Sequence, residues 1–221
     1  MCGRFSFAIS DRIIEDHYGF VPSEMICRYN CAPSQLLAVI TDISPGKFSF
    51  FKWGFIPFWA KDASVGNKMI NARAETINSK PAFKKSLQTM RCLVPADSFY
   101  EWSDKKDKKP YRIMLKNQPV FSMAGIWSEW KSPDNEIISS FAVITTEANE
   151  ITQQIHHRMP VIFDTSDAEK SWLKNAESGI SSLLKPLESE KMTFYPVSKK
   201  VNSPKNDFPE IHLQETEQGL F

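Results

Sequence analysis

A chain of 221 residues with 42% hydrophobic and 12% aromatic side chains has ample apolar surface for a packed core, which excludes disorder over most of its length. Its 27 Lys and Arg against 26 Asp and Glu leave a formal charge of +1, which taken alone argues against a nucleic-acid partner. The N-terminus is polar by residue 10 and no apolar run approaches the ~20 residues of a membrane span, so the expectation is a soluble cytoplasmic protein with reduced thiols.

In chain order, the pattern predicts a helix over Ser10–Tyr18 with Ser10 as its cap, then strands over Leu36–Ile40 and Phe48–Trp53. A helix over Lys80–Gln88 carries Pro81 in its first turn, where a missing N–H costs nothing. Strands follow over Arg91–Val94, Ser98–Trp102, Tyr111–Leu115, Val120–Trp127 and Ser139–Thr145. Thr146 is placed to cap a helix over Glu147–Ile155; a strand over Pro160–Phe163 and a helix over Ser166–Lys174 complete the pattern. Strands dominate the middle and βαβ alternation is absent. That predicts an α+β chain: one domain over 1–206 with a curved, barrel-like, mainly antiparallel β core and peripheral helices. A loose polar tail over 207–221 would follow.

Cys2 carries the most distinctive chemistry. Small second residues favour removal of Met1, and the new terminus would hold a free amine and a thiol two carbons apart. An α-amine titrates near ~7.7–8.0 and is partly nucleophilic at neutral pH, so such an aminothiol can close on an aldehyde as a thiazolidine. A thiol falls in pKa beside cations, and Arg4 is two residues away. The alternative is a structural cysteine. Glu101, flanked by Tyr100 and Trp102 on a predicted strand, suits an acid with a raised pKa, or else an outward residue paired with a lysine.

Asn71 offers a donor and an acceptor, and Arg73 a planar fork for phosphate or carboxylate, in a segment that also reads as a turn. His156 and His157 are adjacent near a helix end; adjacent side chains are expected to diverge, sending at most one into a given site. Metal binding through Cys27, Cys31 and these histidines lacks a paired ligand motif, and the pattern names no metal and no cofactor. Residues 80–116 hold ten Lys and Arg against four acids, net +6, leaving −5 for the remainder. That asymmetry suits a phosphate-binding face, although the 105–109 run also reads as a solvated hairpin tip. The cluster Trp53-Gly54-Phe55-Ile56-Pro57-Phe58-Trp59 offers rings for base stacking or for core packing.

Six segments occur in a recognisable order: Met1–Phe5, Tyr29–Pro33, Trp53–Pro57, Ile70–Thr76, Pro95–Trp102 and Ile155–Pro160. Together they resemble the SOS response-associated peptidase family, the abasic-site processing proteins, from Cys2 to about Asn206. The resemblance implies capture of abasic sites in single-stranded DNA as a thiazolidine on Cys2 after Met1 removal. Thiol-dependent peptidase and lyase activities would accompany it. It implies that Glu101 acts as acid/base in sugar opening, His156 moves protons and Asn71 holds the sugar or amine. Arg4, Arg73, Arg158 and Lys80 would contact DNA phosphates, while Trp53, Phe55, Pro33 and Trp102 would stack or wedge. His157 stands where an acid is common in that family. A monomer in the cytoplasm, at the nucleoid in a bacterial cell, would follow. Two other classes remain open: an N-terminal-nucleophile cysteine amidohydrolase and a non-covalent single-stranded DNA binder.

Overall fold

The computed structural model describes residues 2–23, 27–103, 106–174 and 179–215. In chain order the elements are β1 (Phe5–Phe7), α1 (Asp11–Tyr18), β2 (Arg28–Cys31), β3 (Leu36–Thr41), β4 (Ser44–Trp53), β5 (Asn71–Arg73) and α2 (Pro81–Thr89). Next come β6 (Arg91–Ala96), β7 (Ser98–Trp102), β8 (Pro110–Leu115), β9 (Phe121–Lys131), β10 (Ile137–Glu147) and α3 (Glu150–Gln153). The last are β11 (Arg158–Pro160), β12 (Ile162–Phe163), α4 (Ser166–Leu173), α5 (Ile180–Leu183) and β13 (Met192–Pro196).

Strands β4, β3, β6, β9 and β10 pair in that order, and β10 returns to β4, closing a barrel. The closing β10–β4 contact is parallel, as is the pairing of β5 on β10; the rest of the ladder is antiparallel. A second, wholly antiparallel sheet runs β13-β8-β7-β1-β2. The expected barrel-like, mainly antiparallel core is therefore present.

Alternation along the long strands explains the two cores. Phe141 and Val143 of β10 face a cluster shared with Phe5 and Phe99 of the second sheet and with Cys2 ahead of it. Their neighbours Ala142 and Ile144 face Phe83, Leu87 and Trp172 of α2 and α4. Both faces are covered, so these strands read as continuous apolar runs. Arg91 ties the two helices together. It is buried, and its guanidinium donates to the Leu87 and Gln88 carbonyls at the end of α2 and to those of Trp172 and Lys174 at the end of α4. Those carbonyls have no partner within their own helices, and the cation complements both dipoles.

Three expectations need correction. The helix expected over Glu147–Ile155 is one turn, Glu150–Gln153, capped by Asn149 accepting from Thr152 N at 2.9 Å. Thr146 lies inside β10 instead, because that strand continues to Glu147 to pair with Arg158. Ser10 takes the cap position of α1 but makes no side-chain cap bond. Residues 207–215 of the expected tail are docked: Ile211 is buried with Tyr100, Val197 and Val201, and Gln214 bridges Val197. Residues 216–221 lie outside the described residues.

Candidate functional site

Cys2 lies three residues before the start of β1 and is fully buried. Its carbonyl accepts from Asn71 Nδ2 at 2.7 Å, where β5 begins. Two residues on, the Arg4 carbonyl accepts from Tyr100 N at 2.9 Å, which lays the N-terminal segment along β7 beside Glu101. Glu101 is 3% exposed, so it points inward rather than out to a lysine. The Cys2 thiol is pushed up to about 12, first by burial and then by the charge of Glu101. Cys2, Asn71 and Glu101 are thus brought together from three separate strand ends, and the thiol is held protonated at neutral pH.

Trp53 and Phe55 shape this site without facing solvent. Trp53 is fully buried between Phe5 (5.2 Å) and Phe141 (6.2 Å), and its indole N–H donates to Ile70 O at 2.9 Å, one residue before Asn71. Phe55 is 1% exposed and meets Phe83 edge-on. Between them Gly54 takes φ 138°, and a Cβ there would stand 2.7 Å from Gly66 O. That contact seats the 3-10 turn Ala63–Lys68, which leads into β5. Both aromatics are therefore core residues, and the expectation that they stack on DNA is overturned.

The exposed rings of the same cluster are Phe58 and Trp59, each 56% exposed. They are the central residues of a turn in which Ala60 N donates to Pro57 O at 2.9 Å. Lys85 Nζ stands 4.4 Å from the Phe58 ring centre. Sequence reading passed over these two, although Pro57 is a turn signal that separates them from the buried half of the cluster. Pro33 is half-buried in the β2–β3 turn, where Ser34 N donates to Trp53 O at 2.8 Å. Trp102 is half-buried, its indole N–H donating to Asn202 Oδ1 at 2.7 Å.

The arginines divide sharply. Arg73 is exposed at the end of β5. Arg158 is 7% exposed and committed: it forks onto Glu75 at 2.6 and 3.0 Å and donates to Thr145 O at 2.7 Å. Arg4 donates to Asn30 Oδ1 and Val201 O, both at 2.7 Å, and to Asn202 O at 3.3 Å. Both guanidinium groups are thus engaged in internal hydrogen bonds. Lys80, Lys84 and Lys85 are exposed along α2, whereas Arg91 is buried and Arg112 pairs with Asp97 at 2.6 Å. The basic segment is thus split between α2 on the barrel and the β7–β8 turn on the other sheet. Of that turn, Asp104 and Lys105 lie outside the described residues and Lys106 and Lys108 are exposed.

His156 is half-buried between α3 and β11, and its Nδ1 accepts from Arg158 N at 3.0 Å, leaving the proton of the neutral ring on Nε2. Its ring stacks on that of His157 at 4.3 Å and 27°. The expected divergence fails because the chain turns sharply there into β11. His157, Arg73, Arg158, Glu147 and Gln153 line one open cleft beside the end of β10. Among the described residues no group of three or more His, Cys, Asp or Glu is placed to hold a metal ion.

Known proteins resemble this chain over most of its length. The chain is 47% identical to the abasic site processing protein YoqW of Bacillus subtilis over 221 residues, 96% of this chain and 98% of that one. It is 35% identical to the abasic site processing protein HMCES of Gallus gallus, covering 72% of this chain and 55% of the relative. A crystal structure of a protein from Bacteroides thetaiotaomicron superposes with a TM-score of 0.88 at 31% identity, covering 97% of this chain and all of that one. A family model described as SOS response associated peptidase matches residues 1–204, and the chain belongs to that family.

Proposed function

We propose that this chain recognises abasic sites in single-stranded DNA and captures them covalently on Cys2 once Met1 has been removed. The observation that carries the reading is the burial of Cys2 against Asn71 and Glu101, in a family whose relatives are named for abasic-site processing. The ring-opened sugar supplies an aldehyde at C1′. The Cys2 amine adds to it and one water leaves, giving an imine. The thiol sulfur then bonds to the same carbon while its proton passes to the imine nitrogen, closing a five-membered ring. Glu101 is the buried carboxylate placed to exchange protons with the sugar hydroxyl and the thiol. His156, protonated on Nε2, can donate to the opened sugar, and Asn71 fixes the terminus.

In this reading Arg73 and the α2 lysines take the phosphates, and Phe58, Trp59 and Pro33 take unpaired bases. Peptidase and lyase activities would use the same thiol and the same imine. An N-terminal-nucleophile amidohydrolase would use the thiol on an amide and needs no aldehyde. The test is a denaturing gel of Met1-processed protein with single-stranded DNA bearing one abasic site, with intact mass spectrometry alongside. A heat-stable band, lost in Cys2→Ala and lighter than the sum of its parts by one water, is expected. Processed protein that gives no adduct would overturn the proposal.

A further inference from the structure

Asn30, at the inner end of β2, is fully buried and its side-chain amide is saturated. Nδ2 faces three main-chain carbonyls, those of Val201 (3.3 Å), Ser203 (3.0 Å) and Asn206 (2.6 Å), and Oδ1 accepts from Arg4 Nη1 at 2.7 Å. The main-chain N–H groups of Tyr29 and Asn30 both donate to Asp207 Oδ1, at 2.6 and 3.1 Å. Asn30 therefore binds a strap, residues 201–207, down onto the second sheet. Only a primary amide of this length meets the site. Aspartate would set a charge against three carbonyl oxygens, and leucine would take a hydrogen bond away from each of these groups.

The same amide closes a ring of bonds around the reactive terminus. Arg4, held by Asn30 through its guanidinium, is held by Tyr100 N through its carbonyl at 2.9 Å. Tyr100 in turn donates from its hydroxyl to Tyr29 O at 2.8 Å, and Tyr29 is the residue before Asn30. Arg4 lies two residues from Cys2, and Tyr100 one residue from Glu101. Fixing Arg4 against Tyr100 thus fixes the nucleophile against the carboxylate. Strap and indole reinforce the ring: Arg4 also donates to Val201 O and Asn202 O, and Trp102 Nε1 donates to Asn202 Oδ1 at 2.7 Å.

We infer that Asn30 is a positioning residue for the Cys2 reaction, acting through Arg4 and the 201–207 strap to hold the N-terminal segment in register with Glu101. The inference rests on the crosslinking reading above. It does not make Asn30 a catalytic residue, since its side-chain amide is committed to Arg4 and the strap carbonyls.

The test measures two quantities for the full-length, Met1-processed protein. One is the crosslinking rate at saturating abasic DNA; the other is the Kd for DNA carrying a tetrahydrofuran analogue that cannot open to an aldehyde. Asn30→Ala should slow the rate about tenfold, the scale of a misplaced reacting group, while Kd changes by less than about twofold. A double-mutant cycle adds a readout that general loosening would not move. In a Glu101→Gln background the Asn30→Ala loss should shrink to about threefold or less, because the geometry it protects has lost its use. A wild-type rate, an equal loss of affinity, or the full loss in both backgrounds would each overturn the inference. Arg4→Lys, which keeps a cation but loses the fork, should show a smaller loss with the same non-additivity. It decides the matter should Asn30→Ala not fold, and an unchanged rate there would overturn the inference too. Wild-type protein that forms no crosslink at all would overturn the parent reading instead.

Discussion

Asn71 Nδ2 donates to the Cys2 carbonyl at 2.7 Å, and this bond joins the N-terminal segment that leads into the second sheet to a short strand on the barrel. It is the direct tie between the two sheets at the reacting residue, and Asn71 Oδ1 beside it is buried with no hydrogen-bond partner among the described residues. An amide with one end committed to the protein and the other left without a partner can hold the terminus and still accept from a substrate hydroxyl or amine that reaches it. Asn71→Ala should leave the buried Cys2 carbonyl without its donor, costing roughly 1–3 kcal/mol of stability. Crosslinking should slow further than that loss alone explains, measured as rate per folded molecule. Equal loss in Asn71→Ala and in a distant variant of the same stability would mean the amide only supports the fold.

The protonated state of Cys2 predicts how it meets other electrophiles. With its thiol pushed up from 9.0 to about 12, the unprocessed folded chain carries about a thousandth of the thiolate expected of a thiol in water near neutral pH. Iodoacetamide at pH 7.5 should therefore modify the exposed Cys27 well before the buried Cys2, and unfolding in urea should remove the difference. Glu101→Gln takes away one of the two causes and should speed Cys2 labelling. Peptide mass spectrometry of a labelling time course reads both, and fast Cys2 alkylation in the native chain would count against the buried, Glu101-facing thiol.

The two tryptophans of the Trp53–Trp59 cluster should separate cleanly. Trp53→Ala removes a fully buried ring and the donor to Ile70 O, so a loss of about 3–5 kcal/mol is expected, with crosslinking lost through Asn71. Trp59→Ala removes a ring that is 56% exposed, so Tm should hardly move while single-stranded DNA affinity falls by roughly 1–3 kcal/mol. Thermal melts and binding isotherms check both; a Trp59 variant with wild-type affinity would remove that ring from the DNA path.

Much of this was legible in the sequence, and the failures share a cause. β3 was legible because Leu-Leu-Ala-Val-Ile is a continuous apolar run that only a strand covered on both faces needs. β1 was missed because three residues, Phe5–Phe7, give no period to read; pairing with β2 and β7 makes it a strand. The reacting group was legible because an N-terminal cysteine has chemistry of its own. Partner choice was not. Arg73 and Arg158 are the same residue type in motifs of equal standing, and only the fold sets Glu75 against one of them and water against the other. Trp53 and Trp59 differ in the same way, although Pro57 between them was a signal available in advance.

Salt dependence distinguishes those two arginines. Arg73→Ala should weaken DNA binding and reduce the slope of log K against log salt by about one, as expected for one lost phosphate contact. Arg158→Ala breaks a half-buried pair, whose side chains are 9% and 42% exposed, and takes from the Thr145 carbonyl one of its two donors, Ala74 N being the other. It should lower Tm and leave the slope unchanged. A slope that falls by one in Arg158→Ala would restore that residue to the phosphate contacts and require Glu75 to release it.

Acid should loosen the C-terminal strap before it unfolds the barrel. The ring of His212 sits 4.9 Å from that of Tyr29 and 6.3 Å from that of Tyr100, and its carbonyl accepts from Tyr195 at 2.8 Å. Burial, helped by the nearby Arg112 cation, lowers its pKa from 6.5 to about 4, against the opposing charges of Asp97 and Asp207. A histidine depressed in the folded state binds its proton more readily when unfolded. Its contribution to stability is therefore present above about 6.5 and is lost as pH falls from there through about 4. With partial exposure discounted, that contribution is on the order of 1–2 kcal/mol, or roughly 2–8 °C in Tm for a chain of this length. His212→Gln should flatten the fall of Tm between pH 6.5 and 4 by about that amount and leave the melt at pH 8 within a few degrees of wild type. Crosslinking should follow the same curve, because His212 packs on Tyr29 and Tyr100, and its neighbour Ile211 is buried with Val201, whose carbonyl holds Arg4 behind Cys2. Parallel Tm curves for wild type and His212→Gln would place the acid sensitivity in the carboxylates and free the strap from this control.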